Sequence, residues 1–318
     1  MAIVANTHET YQAIGRREDL SNTIYNIAPS DTPFMSMIGK AKATNTLAEW
    51  MTDSLDAAAA NAQKEGDDYA YDAVTPTTRL GNYTQISRKT VIVSGSQQAG
   101  NNAGRDSEMA YQLAKSSKAL KKDMELALTG KVAKAAGAGG SPGTARTLGG
   151  LETWLTSNVS RGAGTPAGSG AGNGAAPVDA ATKRALTEAL LKTVIQSCYS
   201  SGGDPSTVMV GPVNKGKISA FDGRSTARQM IAKDAIQGAA HLYSSDFGEL
   251  KIIPSRLSRE QSCFVLDPEY WKVAYYRDFK QEEVAKTGDA IKRALLVEYT
   301  LIAANQAASG IVADCTIT

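Results

Sequence analysis

Between residues 106 and 136 the chain reads DSEMAYQLAKSSKALKKDMELALTGKVAKAA, without a proline and with apolar residues at Met109, Leu113, Leu120, Met124, Leu128 and Val132. Spacings of four and seven place these six on one face of a helix. Lys115, Lys118, Lys121, Lys122 and Asp123 fall largely off that face. Asp106 suits the N-cap, with Ser107 and Glu108 in the first turn, where a carboxylate complements the helix dipole. Unbroken, such a helix is roughly 40–45 Å long. Gly130 is the position where it would shorten or bend. A strut of this length serves a mechanical part better than a catalytic core.

The flanking patterns differ. Residues 1–45 scatter Leu20, Ile24, Ile27, Phe34, Met35, Met37 and Ile38 among polar residues and prolines, with no sustained period. This predicts an arm that takes its order from neighbouring chains. Residues 46–95 read as a long β-hairpin, TLAEWMTDSL outward and TTRLGNYTQISRKTVIVS returning. Its tip is polar and acidic: Asp53, Asp56, Glu65, Asp67, Asp68 and Asp72 face only Lys64. Two glycine-rich runs follow the long helix, the second spanning Arg161 to Pro177 as a loose insertion. From Asp179 the pattern turns α/β. A helix is expected over DAATKRALTEALLKTVIQSCYSSGG, with Leu186, Leu190, Val194 and Ile195 on its buried side. The strand TVMV, a helix near Lys217 to Phe221, and the strands GELKIIPS and CFVLD come next. Two β-rich runs separated by KTGD close the chain as a long antiparallel pair, in which one of Tyr275 and Tyr276 is core and the other surface.

Composition narrows the function. The chain has 318 residues, 21% charged and 42% hydrophobic, with a formal net charge of +2, against bulk phosphate neutralisation. No basic-then-apolar leader and no 18-residue apolar run is present, so neither export nor a membrane span is expected. Cys198, Cys263 and Cys315 lie far apart without a CxxC pair and read as reduced thiols. With only His8 and His241, histidine catalysis or metal binding has little to draw on. The acidic tip lacks the alternating ligands and glycine of an EF-hand. No metal, cofactor or catalytic residue is assigned.

One enzymatic decoy stands out. GPVNKGK places Gly211, Gly216 and Lys217 at Walker A spacing after an expected strand, and CFVLD ending at Asp267 looks like a Walker B strand. A P-loop also needs a hydroxyl for magnesium, and Ile218 holds that position; Pro212 removes an amide the loop would use. A plain strand–loop–helix connection with an exposed lysine is the better reading. No GxSxG elbow exists.

Two blocks carry a resemblance. IAPSDTPFMSMIGKAKATNT followed by AEWMTDSL, and the terminal YYRDFKQEEVAKTGDAIKRALLVEYTLIAANQAASGIV, resemble the N- and C-terminal signatures of a group of tailed-bacteriophage major capsid proteins. The resemblance implies an α+β, Hong-Kong-97-like fold. Its parts would be an N-terminal arm (1–45), an E-loop hairpin (46–95), a P-domain with a long spine helix (96–180), an A-domain (181–270) and return strands of the P-domain (271–318).

On that template the chain is expected to be a structural, non-enzymatic subunit of an icosahedral head. It would self-assemble as pentamers and hexamers around double-stranded DNA, without sequence-specific binding and with a portal protein as partner. Assembly would take place in the host bacterial cytoplasm. A chain that starts directly with its arm implies separate scaffolding, and possible decoration, proteins. An encapsulin-like compartment on the same fold is the alternative, with a P-loop enzyme behind it. Phe34 and Met37 in the arm and Lys64, Asp67 and Asp68 at the tip are the candidate intersubunit contacts, with non-covalent clasping expected. A near-neutral chain suits a container whose wall does not grip DNA.

Overall fold

The computed structural model describes residues 31–317, apart from 57, 69–70, 72, 101, 103–105, 165–171 and 222–240. Most of the expected arm, including Leu20, Ile24 and Ile27, lies outside the described residues, as do Asp72 and His8. The remainder of the arm is bound into the chain itself. Helix α1 (Pro33–Met37) opens on a proline, whose fixed φ suits a first turn. The N–H groups of Phe34 and Met35 donate to the carboxylate of Glu125 at 2.7 and 2.9 Å. Glu125, fully buried on the long helix, thus caps a different helix, and its own pKa is raised by burial against the opposing pull of those two amides. Strand β1 (Gly39–Lys42) then pairs in parallel with β10 (Trp271–Glu283).

The expected hairpin is shorter than its sequence pattern. Strands β2 (Leu47–Thr52) and β3 (Thr78–Tyr83) pair antiparallel, from Leu47 opposite Tyr83 to Thr52 opposite Thr78. At the buried Thr84 the return limb changes partner. Its N–H donates to the Thr46 carbonyl and its hydroxyl to Glu298. The following β4 (Gln85–Ser94) pairs along its whole length with β11 (Ala290–Ala303). A ten-residue strand rich in β-branched side chains gains more from a partner that spans its whole length than from the short outgoing limb. The resulting four-stranded sheet has the order β1-β10-β11-β4.

After a short α2 (Gly95–Ala99), the long helix α3 (Glu108–Thr129) lies against that sheet. Its cap is Ser107 instead of Asp106, the hydroxyl accepting from Ala110 N–H. It ends at Gly130, well before residue 136, so Val132 leaves the apolar stripe and is exposed. Met109, Leu120, Met124 and Leu128 are buried as the period requires. Leu120, Met124 and Leu128 form the first core with Phe34, Ile38, Trp154, Trp271, Val297 and Tyr299.

A second sheet has six strands in the order β5-β12-β9-β6-β8-β7: β5 (Asn158–Ser160), β6 (Thr207–Val210), β7 (Leu242–Ser245), β8 (Gly248–Pro254), β9 (Cys263–Leu266) and β12 (Gly310–Val312). Helix α4 (Glu188–Ser200) packs on β5 and β12, starting nine residues later than Asp179 with Thr187 as its cap. Leu186 is buried just ahead of the helix. β10 and β11 are the expected antiparallel pair, but the chain does not stay with the long helix. Residues 310–312 cross into the six-stranded sheet, between β5 and β9. Tyr275 is half-buried and Tyr276 exposed, as alternation demands.

Within β9, Phe264 and Leu266 enter the first core while Cys263 and Val265 enter a second, built with Leu191, Val194, Ile195, Val208, Val210 and Ile252. β6, β9 and β12 are buried on both faces, so their sheet is the common wall of two cores.

Phe34 is therefore a core residue of its own chain. Phe34→Ala should destabilise the unassembled subunit by about 3–5 kcal/mol, read as a lower urea midpoint. An unchanged midpoint with lost assembly would return it to an intersubunit role.

Candidate assembly surfaces

The hairpin β2–β3 is fixed at its base and free at its tip. Asn82 is fully buried there; its side-chain amide donates to the carbonyls of Leu301 (2.8 Å) and Gly149 (3.1 Å), and its Oδ1 accepts from Gly149 N–H (2.8 Å). Trp50 packs on Trp154 with ring centroids 5.2 Å apart, and Lys134 Nζ donates to the Gly81 carbonyl at 2.7 Å. Burial lowers the pKa of that lysine. Beyond Thr52 the described residues up to 77 form no strand, and all are exposed. Leu55, Tyr71 and Val74 are 99%, 94% and 92% exposed. Three large apolar groups are thus bared on one acidic loop. The signal was present in the sequence, as isolated large apolar residues within a polar, small-residue stretch.

Of the sequence-selected contact residues, Lys64, Asp67 and Asp68 all lie exposed on this loop, around a turn in which Asp67 N–H donates to the Lys64 carbonyl and Gly66 takes φ +84°. Met37 is half-buried and packs against the first core. Phe34, fully buried, is withdrawn from the contact set. A second exposed stretch is the outer half of β10, from Tyr276 through Glu283, paired along one edge with β11.

Two buried charge clusters hold these exposed stretches to a rigid body. Glu298 on β11, almost fully buried, accepts from Arg146 (2.6 Å), Arg277 (2.7 Å) and Thr84 (2.7 Å), so one carboxylate joins three distant segments. Between the sheets, fully buried Glu152 receives Arg259 (3.0 and 3.2 Å) and the Ser262 hydroxyl (3.0 Å). The same guanidinium pairs with Asp179, which also meets Lys131 at 2.8 Å just beyond the end of α3. Burial pushes the Asp179 pKa up, but bonds from Arg259 and Lys131 outweigh it and hold the carboxyl down at about 2. Nearby Asp314, at φ +61°, accepts from the N–H groups of Ala180 and Gly162 and from Lys183; against its burial these hold its pKa low. Removing one partner from such a cluster leaves an uncompensated buried charge.

The GPVNKGK segment does not build a phosphate cradle. Helix α5 (Pro212–Ser219) begins directly after Gly211, ahead of its expected start, and the Glu260 carboxylate lies against Gly211 where an anion would sit. Lys217 is not the exposed lysine expected: it is half-buried and donates to the Thr316 carbonyl and hydroxyl, both at 2.9 Å. Asp267 caps the short turn at Pro268–Tyr270. The three thiols are buried in the second core, where burial pushes Cys198 up to about 12 and Cys315 up to about 11. Thiols so raised are poor nucleophiles. Among the described residues no cluster of metal-ligating side chains occurs and no helix is long and apolar enough to cross a membrane.

Comparison with known proteins places this geometry. The family model of the SU10 major capsid protein matches residues 3–316. The major capsid protein of Escherichia phage Phieco32 is 38% identical over 117 residues, which span 36% of this chain and 33% of that protein. In solved structures the fold is similar to the cyanophage A-1(L) capsid asymmetric unit, with a TM-score of 0.67 at 12% identity over 97% of this chain and 98% of that one. It is also similar to a Phage G structure of gp27 major capsid proteins and gp26 decoration proteins, with a TM-score of 0.54 at 10% identity over 99% and 100%. Those capsid chains share the Hong-Kong-97-like, α+β arrangement expected from the sequence.

The Asp179 cluster has a pH signature. A carboxyl whose folded pKa lies below its unfolded value contributes stability above the unfolded value and loses it as pH falls through the folded one. Asp179→Asn should cost roughly 1–3 kcal/mol at neutral pH, and its gap from the parent chain should close between about pH 4 and pH 2. Urea midpoints measured across that window check this; a pH-independent gap would mean that packing, not charge, is lost.

Proposed function

This chain belongs to the SU10 major capsid protein family, and from that premise we propose that it closes a phage capsid shell by clasping neighbouring copies through its hairpin loop. The observation that carries the proposal is the loop between Thr52 and Thr78, anchored at its base by buried Asn82 and bearing exposed Leu55, Tyr71 and Val74 beside a run of carboxylates. A monomeric protein gains nothing from baring those three side chains to water, at about 25 cal/mol per Å² of apolar surface. A copy that buries them against a neighbour gains both area and register.

The subunits assemble as pentamers and hexamers in an icosahedral head around double-stranded DNA, with a portal protein and with scaffolding or decoration supplied by separate chains. Lys64, Asp67 and Asp68 form the polar rim of the clasp and Met37 a contact at the base of the arm. The clasp is non-covalent, and the chain performs no catalysis. Support for this last point comes from the Lys217–Thr316 bond and the Glu260 carboxylate, which occupy the one segment with a nucleotide-binding spelling.

Negative-stain microscopy of the purified chain, alone and co-expressed with its neighbouring head proteins, should show closed shells or stable pentamers and hexamers; a small monodisperse oligomer under every condition overturns the proposal. Tyr71→Ser should leave the subunit's urea midpoint within about 0.5 kcal/mol of the parent and raise the concentration needed for assembly about tenfold or more. A boiled, reduced denaturing gel of finished particles should show a single band and no ladder.

A further inference from the structure

The total charge of +2 hides local runs of one sign. The hairpin loop carries the acids. The outer arc of α3 carries the opposite sign: Lys115, Lys118 and Lys121 are exposed and Lys122 half-exposed. No acidic residue stands between Lys115 and Lys122, and none of the four has an ion pair among the described residues. The nearest carboxylates on the helix are engaged elsewhere, Asp123 with Lys89 and Glu125 with the start of α1. Lys40 and Lys42 on the adjoining strand β1 are exposed as well. Lys40 and Lys121 line the same groove, of about 770 Å³, between α1, α3 and β10.

Lysines three and four residues apart on a helix repel one another, and a surface helix ordinarily relieves this with glutamates at those spacings. Here the repulsion stands uncompensated along about 10 Å of rigid helix. We propose that this face is the inner wall of the shell, and that its lysine row touches the phosphates of the enclosed double-stranded DNA. The inference rests on the reading of the chain as the wall of a DNA-filled head. A sequence-neutral row of ammonium groups suits the uniform charge of a phosphate backbone. Between Lys115 and Lys122 it exposes no large apolar side chain, and Leu126 one turn beyond is exposed alone on α3, so it offers little to Leu55, Tyr71 or Val74 of a second copy. The groove beside it has apolar walls at Met35 and Phe279, which makes a docked loop the competing outcome. Point charges in water give contacts that salt weakens steeply, so the row touches DNA without gripping it.

The test uses intact DNA-filled particles and the same particles after DNA release. A small, shell-permeant crosslinker (formaldehyde) and a bulky, shell-excluded amine reagent (a dextran-coupled succinimidyl ester) are applied to each, and modified lysines are mapped by mass spectrometry. DNA adducts at Lys115, Lys118, Lys121 and Lys122 in filled particles, absent after release, with no labelling from outside, are expected. Replacing the four with glutamine should cut adduct yield at least fivefold while shells still form. Labelling of the row from outside overturns the inference, as does its protection in both filled and emptied shells, the mark of a docked neighbouring loop. Particles that form but hold no DNA would instead refute the reading on which it rests.

Discussion

The two-sided burial of one sheet governs the rest of this structure. Strands β6, β9 and β12 send alternate side chains into two different cores: Met209, Phe264 and Ile311 toward the long helix, Val208, Val265 and Val312 toward α4. A sheet buried on both faces cannot slip by one residue without exchanging the contents of both cores. The relative position of the two halves is thus set by register. A shell subunit needs this, because any play between its halves would change the angle at which neighbours meet.

Charge completes what packing begins. Glu125, Glu152, Glu298 and Asp314 are all buried, and each receives donors from segments remote in sequence. Buried ion pairs are weak sources of net stability but strict about geometry, since a single missing partner leaves a bare charge in a poor solvent. They sit where elements join: arm to helix, hairpin base to sheet, helix end to the far lobe. Rigidity at those joints is what lets the hairpin loop project without local support, while the outer half of β10 is held by its pairing with β11.

The exterior follows a different rule. Leu55, Tyr71 and Val74 are bared on the hairpin loop beside a run of acids, and an unrelieved row of lysines lies on α3. A protein acting alone would mix these. Segregation of this kind suits a part with several faces, each meeting something different.

The sequence by itself determined the local elements and the family. The four-and-seven stripe of α3, the closing antiparallel pair and the two signature blocks were legible because period, turn and spelling are short-range properties. Helix ends were read less well: Ser107 displaced Asp106 as cap and Gly130 ended the stripe before Val132, since competing caps differ by less than tertiary contacts supply. Only the tertiary structure decided which strand joins which. Thr84 divides one continuous β-rich run between two sheets, residues 310–312 leave their hairpin for a distant sheet, and Phe34 passes from a supposed arm into the core. Each of these depends on a partner far away along the chain. A β-strand or an apolar side chain specifies only that it must be paired or buried, and the identity of the partner is settled by which long-range arrangement satisfies every such demand at once.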